Sequence, residues 1–317
     1  MIKVKINRET GKFPKNNTLF RFLSAFISVV VLGGFSLGGC ASSPENAPDS
    51  EAGTDVEIVS TSVAICEILN ELEYDNVIGV PETSNSLPER YDGITTVGAP
   101  MNPDLEIVKS LNPDLVLSPQ TLESSLAESY GAAGITSAFL DLSSVEGMYA
   151  AITSLGQYLG REDSAERLNE EYESYMANYE NTSGEQPDIL LLMAFPDGFY
   201  LVATENSYVG DLVRMAGGNN VYGSDYKGDE NGFVNINPED IVQKNPDKIL
   251  VFAHYAEEDA FKFMESEFSD NASWQYFDAV TNDEIYYLPS EYFGMSATLS
   301  WTDSLDYLKP ILYGEEQ

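Results

Sequence analysis

Asn102-Pro103-Asp104-Leu105-Glu106-Ile107-Val108, running on to Asn112-Pro113-Asp114-Leu115-Val116-Leu117, has a counterpart further along the chain. There Asn237-Pro238-Glu239-Asp240-Ile241-Val242 runs on to Asn245-Pro246-Asp247-Lys248-Ile249-Leu250. Each copy reads as an Asn cap, a Pro in the first helical turn, a short helix, a Pro-ended turn and a buried strand. Common turn chemistry can produce one such unit, but two at corresponding places in a chain of 317 residues point to a duplicated lobe.

The flanking segments carry the same alternation of strand and helix. Val56-Ser60, Val77-Val80, Thr95-Gly98, Leu115-Ser118 and Thr136-Leu140 are short apolar runs, separated by helical patterns over Val63-Leu72, Leu105-Leu111 and Leu122-Ala132. Val145, Met148, Ile152, Leu155 and Leu159 then keep a 3-4 spacing, which predicts a closing helix ended by Gly160. From Glu162 to about Asn181 a charged stretch keeps Ala165, Leu168, Tyr172, Met176 and Tyr179 on one stripe, which makes it a long connecting helix. A second series comes after it: strands at Ile189-Phe195, Tyr200-Ala203, Ile249-Ala253 and Ile285-Leu288, with helices over Tyr208-Ala216, Glu239-Lys244, Asp259-Phe268 and from about Ser300. The predicted fold is α/β, with two Rossmann-like lobes joined by a single long connecting helix. Such sheets bind ligands at the carboxyl ends of their strands, so a ligand cleft is expected between the lobes.

The chain before this series reads as targeting sequence. Lys3, Lys5, Arg8, Lys12, Lys15 and Arg21 form a basic region, Phe22 to Phe35 an apolar one, and Leu37-Gly38-Gly39-Cys40 comes next as a lipoprotein cleavage site. Residues 1–39 are therefore expected to be a signal peptide and Cys40 the lipid-bearing residue, palmitate being the acyl group expected. Residues 40–55, rich in Ser, Pro, Ala and acidic side chains, form the flexible tether. The first lobe is then expected over residues 56–161, the connecting helix and linker over 162–186, and the second lobe over 187–317. The expected location is the extracytoplasmic face of a cell membrane, held by lipid alone.

Without residues 1–39 the chain keeps 10 basic against 51 acidic residues, a balance of −41. That excludes the basic surfaces that nucleic acids and anionic lipids require. Cys66 is the one cysteine left. With apolar Ile65, Ile68 and Leu69 around it, a buried core thiol is expected.

His254 is the only histidine in the chain. It excludes zinc or manganese sites built from several imidazoles, and a Ser-His-Asp triad lacks a Gly-x-Ser-x-Gly elbow after Cys40. Walker and dinucleotide glycine fingerprints are missing too, and the acidic loop at Asp225, Asp229 and Glu230 is interrupted by Lys227, so it lacks calcium-loop spacing. No activated nucleophile or acid/base pair stands out, so the chain reads as a binding protein, not an enzyme. His254 succeeds the strand Ile249-Ala253 at the ligand-binding end, although a lone histidine also serves as a satisfied structural residue. Met101 likewise leaves the strand Thr95-Gly98, while Met148, Met176, Met193, Met215 and Met264 read as core filling and Met295 is a rival loop thioether. Thr61, Ser62, Ser84 and Ser86 are candidate hydrogen-bond donors at the start of the first helix and in the next loop, or else simple caps and turn residues.

Together these features resemble the substrate-binding lipoproteins of ABC importers for heme, cobalamin and ferric siderophores. More closely, Leu87-Pro88-Glu89-Arg90-Tyr91, Val97 to Glu106, Phe139 to Val145 and Ala203 to Leu212 are similar to the heme-binding lipoproteins of the iron-regulated surface determinant type in Gram-positive bacteria. The resemblance spans nearly the whole chain after Cys40. It implies that heme (iron protoporphyrin IX) is captured and delivered to an ABC permease for iron uptake, with cell-surface heme-relay proteins as further partners. It also implies that Met101 and His254 are the axial ligands of the heme iron, and that Glu106 and Glu239 meet permease arginines. The same fold carrying a ferric siderophore or cobalamin is the alternative reading, and an enzyme or cofactor-assembly subunit on duplicated lobes a more distant one.

Overall fold

The two Asn-Pro-Asp corners hold their sheets with the same pair of hydrogen bonds. The computed structural model describes residues 2–3, 56–83, 85–179, 186–226, 228–229, 231–236 and 241–314. Within them Asn112 and Asn245 end their helical turns in the left-handed region, at φ 51° and 37°. Asn is one of the few side-chain-bearing residues that visit this region readily. The Asp after each Pro then grips the start of the central strand. Asp114 donates its N–H to the Glu57 carbonyl and accepts Glu57 N–H on Oδ2, both at 2.9 Å. Asp247 does the same with Asp188, both at 2.8 Å.

The strands are β1 (Ile2–Lys3), β2 (Ile58–Ser60), β3 (Val77–Val80), β4 (Thr95–Thr96), β5 (Gly98–Ala99), β6 (Asn102–Pro103), β7 (Leu115–Pro119), β8 (Ser137–Leu140), β9 (Asp188–Phe195), β10 (Phe199–Ala203), β11 (Asn219–Asn220), β12 (Phe233–Val234), β13 (Lys248–Ala253) and β14 (Ile285–Leu288). The first sheet is parallel throughout, in the order β8-β7-β2-β3-β4, with β1 beside β8. The second, β14-β13-β9-β10-β12, matches it position for position. Direction differs in one strand. β10 runs antiparallel to β9 because only Pro196-Asp197-Gly198 joins them, too few residues for the crossover a parallel strand needs. This departs from the uniform α/β series expected in the second half.

Helices fall close to their predicted places. Val145–Leu159 ends on left-handed Gly160, and the connecting helix spans Glu162–Asn178, or about 25 Å at 1.5 Å per residue. One expectation needs correction. Asn102 and Pro103 do not open the helix Leu105–Leu111, because they form β6, paired antiparallel with β5. Asp104 is the cap instead, its carboxylate accepting the N–H groups of Glu106 and Ile107 at 2.9 and 3.1 Å. In the second unit, Asn237 to Asp240, including Glu239, lie outside the described residues, and the corner is reached through a 3₁₀ turn over Val242–Lys244. The expected leader beyond Ile2–Lys3, the tether with Cys40, and Ser84 also lie outside them.

The two sheets share one apolar core that runs from Ile58 through Tyr149 and Ala165 to Trp301 and Leu312. Cys66 is buried in it, and burial pushes its thiol up to about 11, which keeps it protonated. Where the lobes meet, Tyr149 stacks on Tyr172 at 4.3 Å, Trp301 donates its indole N–H to the Tyr149 hydroxyl at 3.2 Å, and Tyr175 packs edge-on against Trp301 at 4.9 Å. Polar contacts add to this junction. Buried Asp211 accepts Val145 N–H at 2.9 Å at the start of the helix Val145–Leu159, and Ala297 N–H reaches the Leu142 carbonyl at 2.7 Å.

Candidate ligand-binding site at the sheet ends

Met101 stands at the tip of a tight hairpin. Ala99 pairs with Asn102, so Pro100 and Met101 form a two-residue turn between β5 and β6. Gly98 makes the turn possible: its φ is +92°, and a Cβ there would come within 3.1 Å of Asp104 N. Buried Pro103 and the 2.7 Å bond from Asp104 N–H to the Val97 carbonyl anchor the hairpin base. Met101 itself is 61% exposed. Among the described methionines it alone is exposed: Met148, Met193, Met215 and Met264 are buried, while Met176 and Met295 pack partly buried against the core. Met295 is thereby committed to packing.

His254 succeeds β13 directly, and its N–H continues the ladder to the Ala194 carbonyl at 3.0 Å. Two aromatic rings flank it, and a third backs one of them. Phe195 lies 5.1 Å from the imidazole and Tyr255 5.5 Å, while Phe199 stacks on Phe195 at 4.1 Å. The ring is half-buried, and its Nδ1 is buried with no hydrogen-bond partner among the described residues. Burial lowers its pKa from 6.5, so the ring is neutral at pH 7 and keeps a lone pair for a metal.

Thr61, Ser62 and Ser86 fall near the ends of β2 and β3. Thr61 is fully buried, and its hydroxyl is engaged with the Leu117 carbonyl at 3.2 Å and the Ser118 hydroxyl at 2.8 Å, which corrects its reading as an outward donor. A buried hydroxyl must find its partner inside. Ser62 caps the helix Val63–Glu71 by accepting Ile65 N–H at 3.2 Å, and Ser86 is exposed. Glu106 is exposed in the first turn of its helix. The structure therefore sets Met101 and His254 each at the carboxyl end of its own sheet. Two surface hollows of about 600 and 630 Å³ lie elsewhere, beside the connecting helix.

The residues that the sequence reading missed are Phe195, Asp197, Phe199 and Tyr255. Phe195-Pro196-Asp197-Gly198-Phe199 carries the signal, since Pro-Asp-Gly between two strands is a hairpin turn. Gly198 sits at φ +88° and donates to the Phe195 carbonyl at 3.3 Å, and Phe195 and Phe199 face each other across the ladder.

Two α/β lobes of matching strand order, joined by one helix and with sheet ends that carry polar and aromatic groups, are the frame of a substrate-binding protein. Residues 58–292 match the periplasmic binding protein family, and the chain belongs to it. It is 33% identical over 295 residues to the high-affinity heme uptake system protein IsdE of Staphylococcus aureus, covering 92% of this chain and 98% of that protein. The crystal structure of S. aureus IsdE complexed with heme has a TM-score of 0.76 at 35% identity, over 82% of this chain and 99% of that one. An ABC transporter substrate-binding protein from Listeria monocytogenes EGD-e has the same TM-score at 38% identity, over 82% and 100%.

Proposed function

We propose that this protein captures heme outside the cytoplasm and delivers it to an ABC permease for iron uptake, with His254 and Met101 as the axial ligands of the iron. The observation that carries the reading is the seat of His254. A neutral imidazole stands at a strand's carboxyl end with Nδ1 buried, which leaves Nε2 as the nitrogen for coordination. Met101, the one exposed thioether among the described residues, supports a second ligand from the other lobe. Methionine–histidine ligation suits a low-spin heme iron. The similarity to IsdE over most of both chains supports heme as the ligand. In this reading the chain binds and transports and catalyses nothing.

Glu106 and Glu239 are the carboxylates that would meet the permease, and Cys40 would hold the protein to the membrane by lipid. Hemin titrated into the purified protein tests the ligand. The expected result is a saturable Soret band with the α and β bands of six-coordinate low-spin heme. A flat titration with hemin, together with spectral change on adding cobalamin or a ferric siderophore, would replace heme by that ligand.

A further inference from the structure

The imidazole of His254 is fixed by packing. A metal-binding histidine is ordinarily oriented by a hydrogen bond from its second nitrogen to a carboxylate or carbonyl. Here Nδ1 has no such partner among the described residues, although a carboxylate, Asp197, stands at the adjacent turn. Asp197 is bonded to another group: its Oδ2 accepts the Tyr255 hydroxyl at 2.6 Å.

That bond closes a loop of contacts around the ring. One wall is Phe195, at the end of β9 and backed by Phe199 across the hairpin; the other is Tyr255, next after His254 past the end of β13. At their base the walls are joined by the bond from His254 N–H to Ala194. At their tip they are joined by the bond from Tyr255 to Asp197. Tyr255 is 49% exposed and Asp197 is exposed, so neither is needed for the core.

Resting on the heme reading above, we propose that the Asp197–Tyr255 hydrogen bond is a clasp that holds the His254 imidazole in its iron-coordinating orientation. Asp197 and Tyr255 are then positioning residues, and Phe195 and Phe199 are the wall that keeps the ring in place. Without the clasp the two walls part at the tip, and the ring gains freedom about its Cβ–Cγ bond. The fold and the imidazole both remain.

The test uses the full protein loaded with hemin. Wild type and His254→Ala come first: low-spin bands present in the one and lost in the other establish the ligand. Tyr255→Phe, Asp197→Ala and Asp197→Asn are then compared for heme loss to excess apomyoglobin and for the width of the low-spin resonance in electron paramagnetic spectra. Loss should be about fivefold faster in Tyr255→Phe and Asp197→Ala, with a broadened signal and some high-spin heme, as expected for removal of one hydrogen bond. Asp197→Asn keeps an acceptor oxygen and should stay within about twofold of wild type. Wild-type rates and spectra in Tyr255→Phe and Asp197→Ala would overturn the clasp, as would Asp197→Asn behaving like Asp197→Ala. If His254→Ala keeps the low-spin bands, the ligand assignment itself fails and the clasp with it.

Discussion

The two lobes offer their proposed iron ligands in opposite ways. Met101 rides a two-residue turn with 61% of its surface exposed, whereas His254 grows from the end of a core strand between two aromatic side chains, Phe195 and Tyr255. The imidazole is thus ordered before any ligand arrives, and the thioether acquires its surroundings when one does. Ordering a flexible side chain on binding costs on the order of 0.5–1.5 kcal/mol, so the second lobe should contribute more of the net affinity. The difference arises at the sheet edges, because the frames behind them carry the same strand order and the same Asn-Pro-Asp corners.

Replacing His254 by Ala should have the largest effect on that balance. Hemin affinity should fall by more than about 100-fold, beyond what loss of an outer-shell partner costs, and the low-spin bands should vanish. Met101→Ala should cost about tenfold, since a thioether is a weak ligand that water can replace, and should move the spectrum towards high spin. Equal losses in the two titrations, or a larger one for Met101→Ala, would break the asymmetry.

Acid supplies a gentler probe of the same seat. Because burial lowers the His254 pKa from 6.5, the folded protein takes up that proton at a lower pH than the unfolded chain does. His254 is thus neutral in both states well above pH 6.5; below it the unfolded chain binds the proton first, so acid reduces stability until the folded pKa is passed. The melting temperature of the heme-free protein should fall less steeply with acid in His254→Ala than in wild type. Low-spin heme should likewise persist at pH 6.5 and be lost only at lower pH, because coordination needs the neutral ring. A midpoint above pH 6.5 would mean that the ring is not desolvated in solution.

The smallest effect on binding is expected at the docking face. Exposed Glu106 lies on the helix just after the Met101 hairpin, and reversing it together with Glu239 (Glu106→Arg, Glu239→Arg) should leave the hemin titration unchanged. Iron-limited growth on heme should nevertheless be abolished. Weakened heme binding in this variant would tie Glu106 or Glu239 to the first-lobe site.

How far the sequence could be read depends on the range of the forces involved. The helix Val145–Leu159 and its stop at Gly160 were legible because apolar spacing and a left-handed glycine act within a few residues. The cap of the helix Leu105–Leu111 was not. Asn102 and Asp104 are both good caps, and the choice fell to Asp104 through the pairing of β6 with β5. Thr61 was misplaced for a similar reason: whether a hydroxyl faces out or bonds inward depends on Leu117 and Ser118, more than 50 positions away.

By itself, the sequence determined the acidic balance, the lone histidine, the helix stop at Gly160 and the paired corners that mark a duplicated lobe, all of them properties of residue identity or of neighbours along the chain. Only the tertiary structure decided that Phe195 packs against His254 and that Asp197 bonds to Tyr255 rather than to the imidazole. Those contacts join residues nearly 60 positions apart, and such pairs meet only once the hydrophobic packing of the sheet has set the strand register.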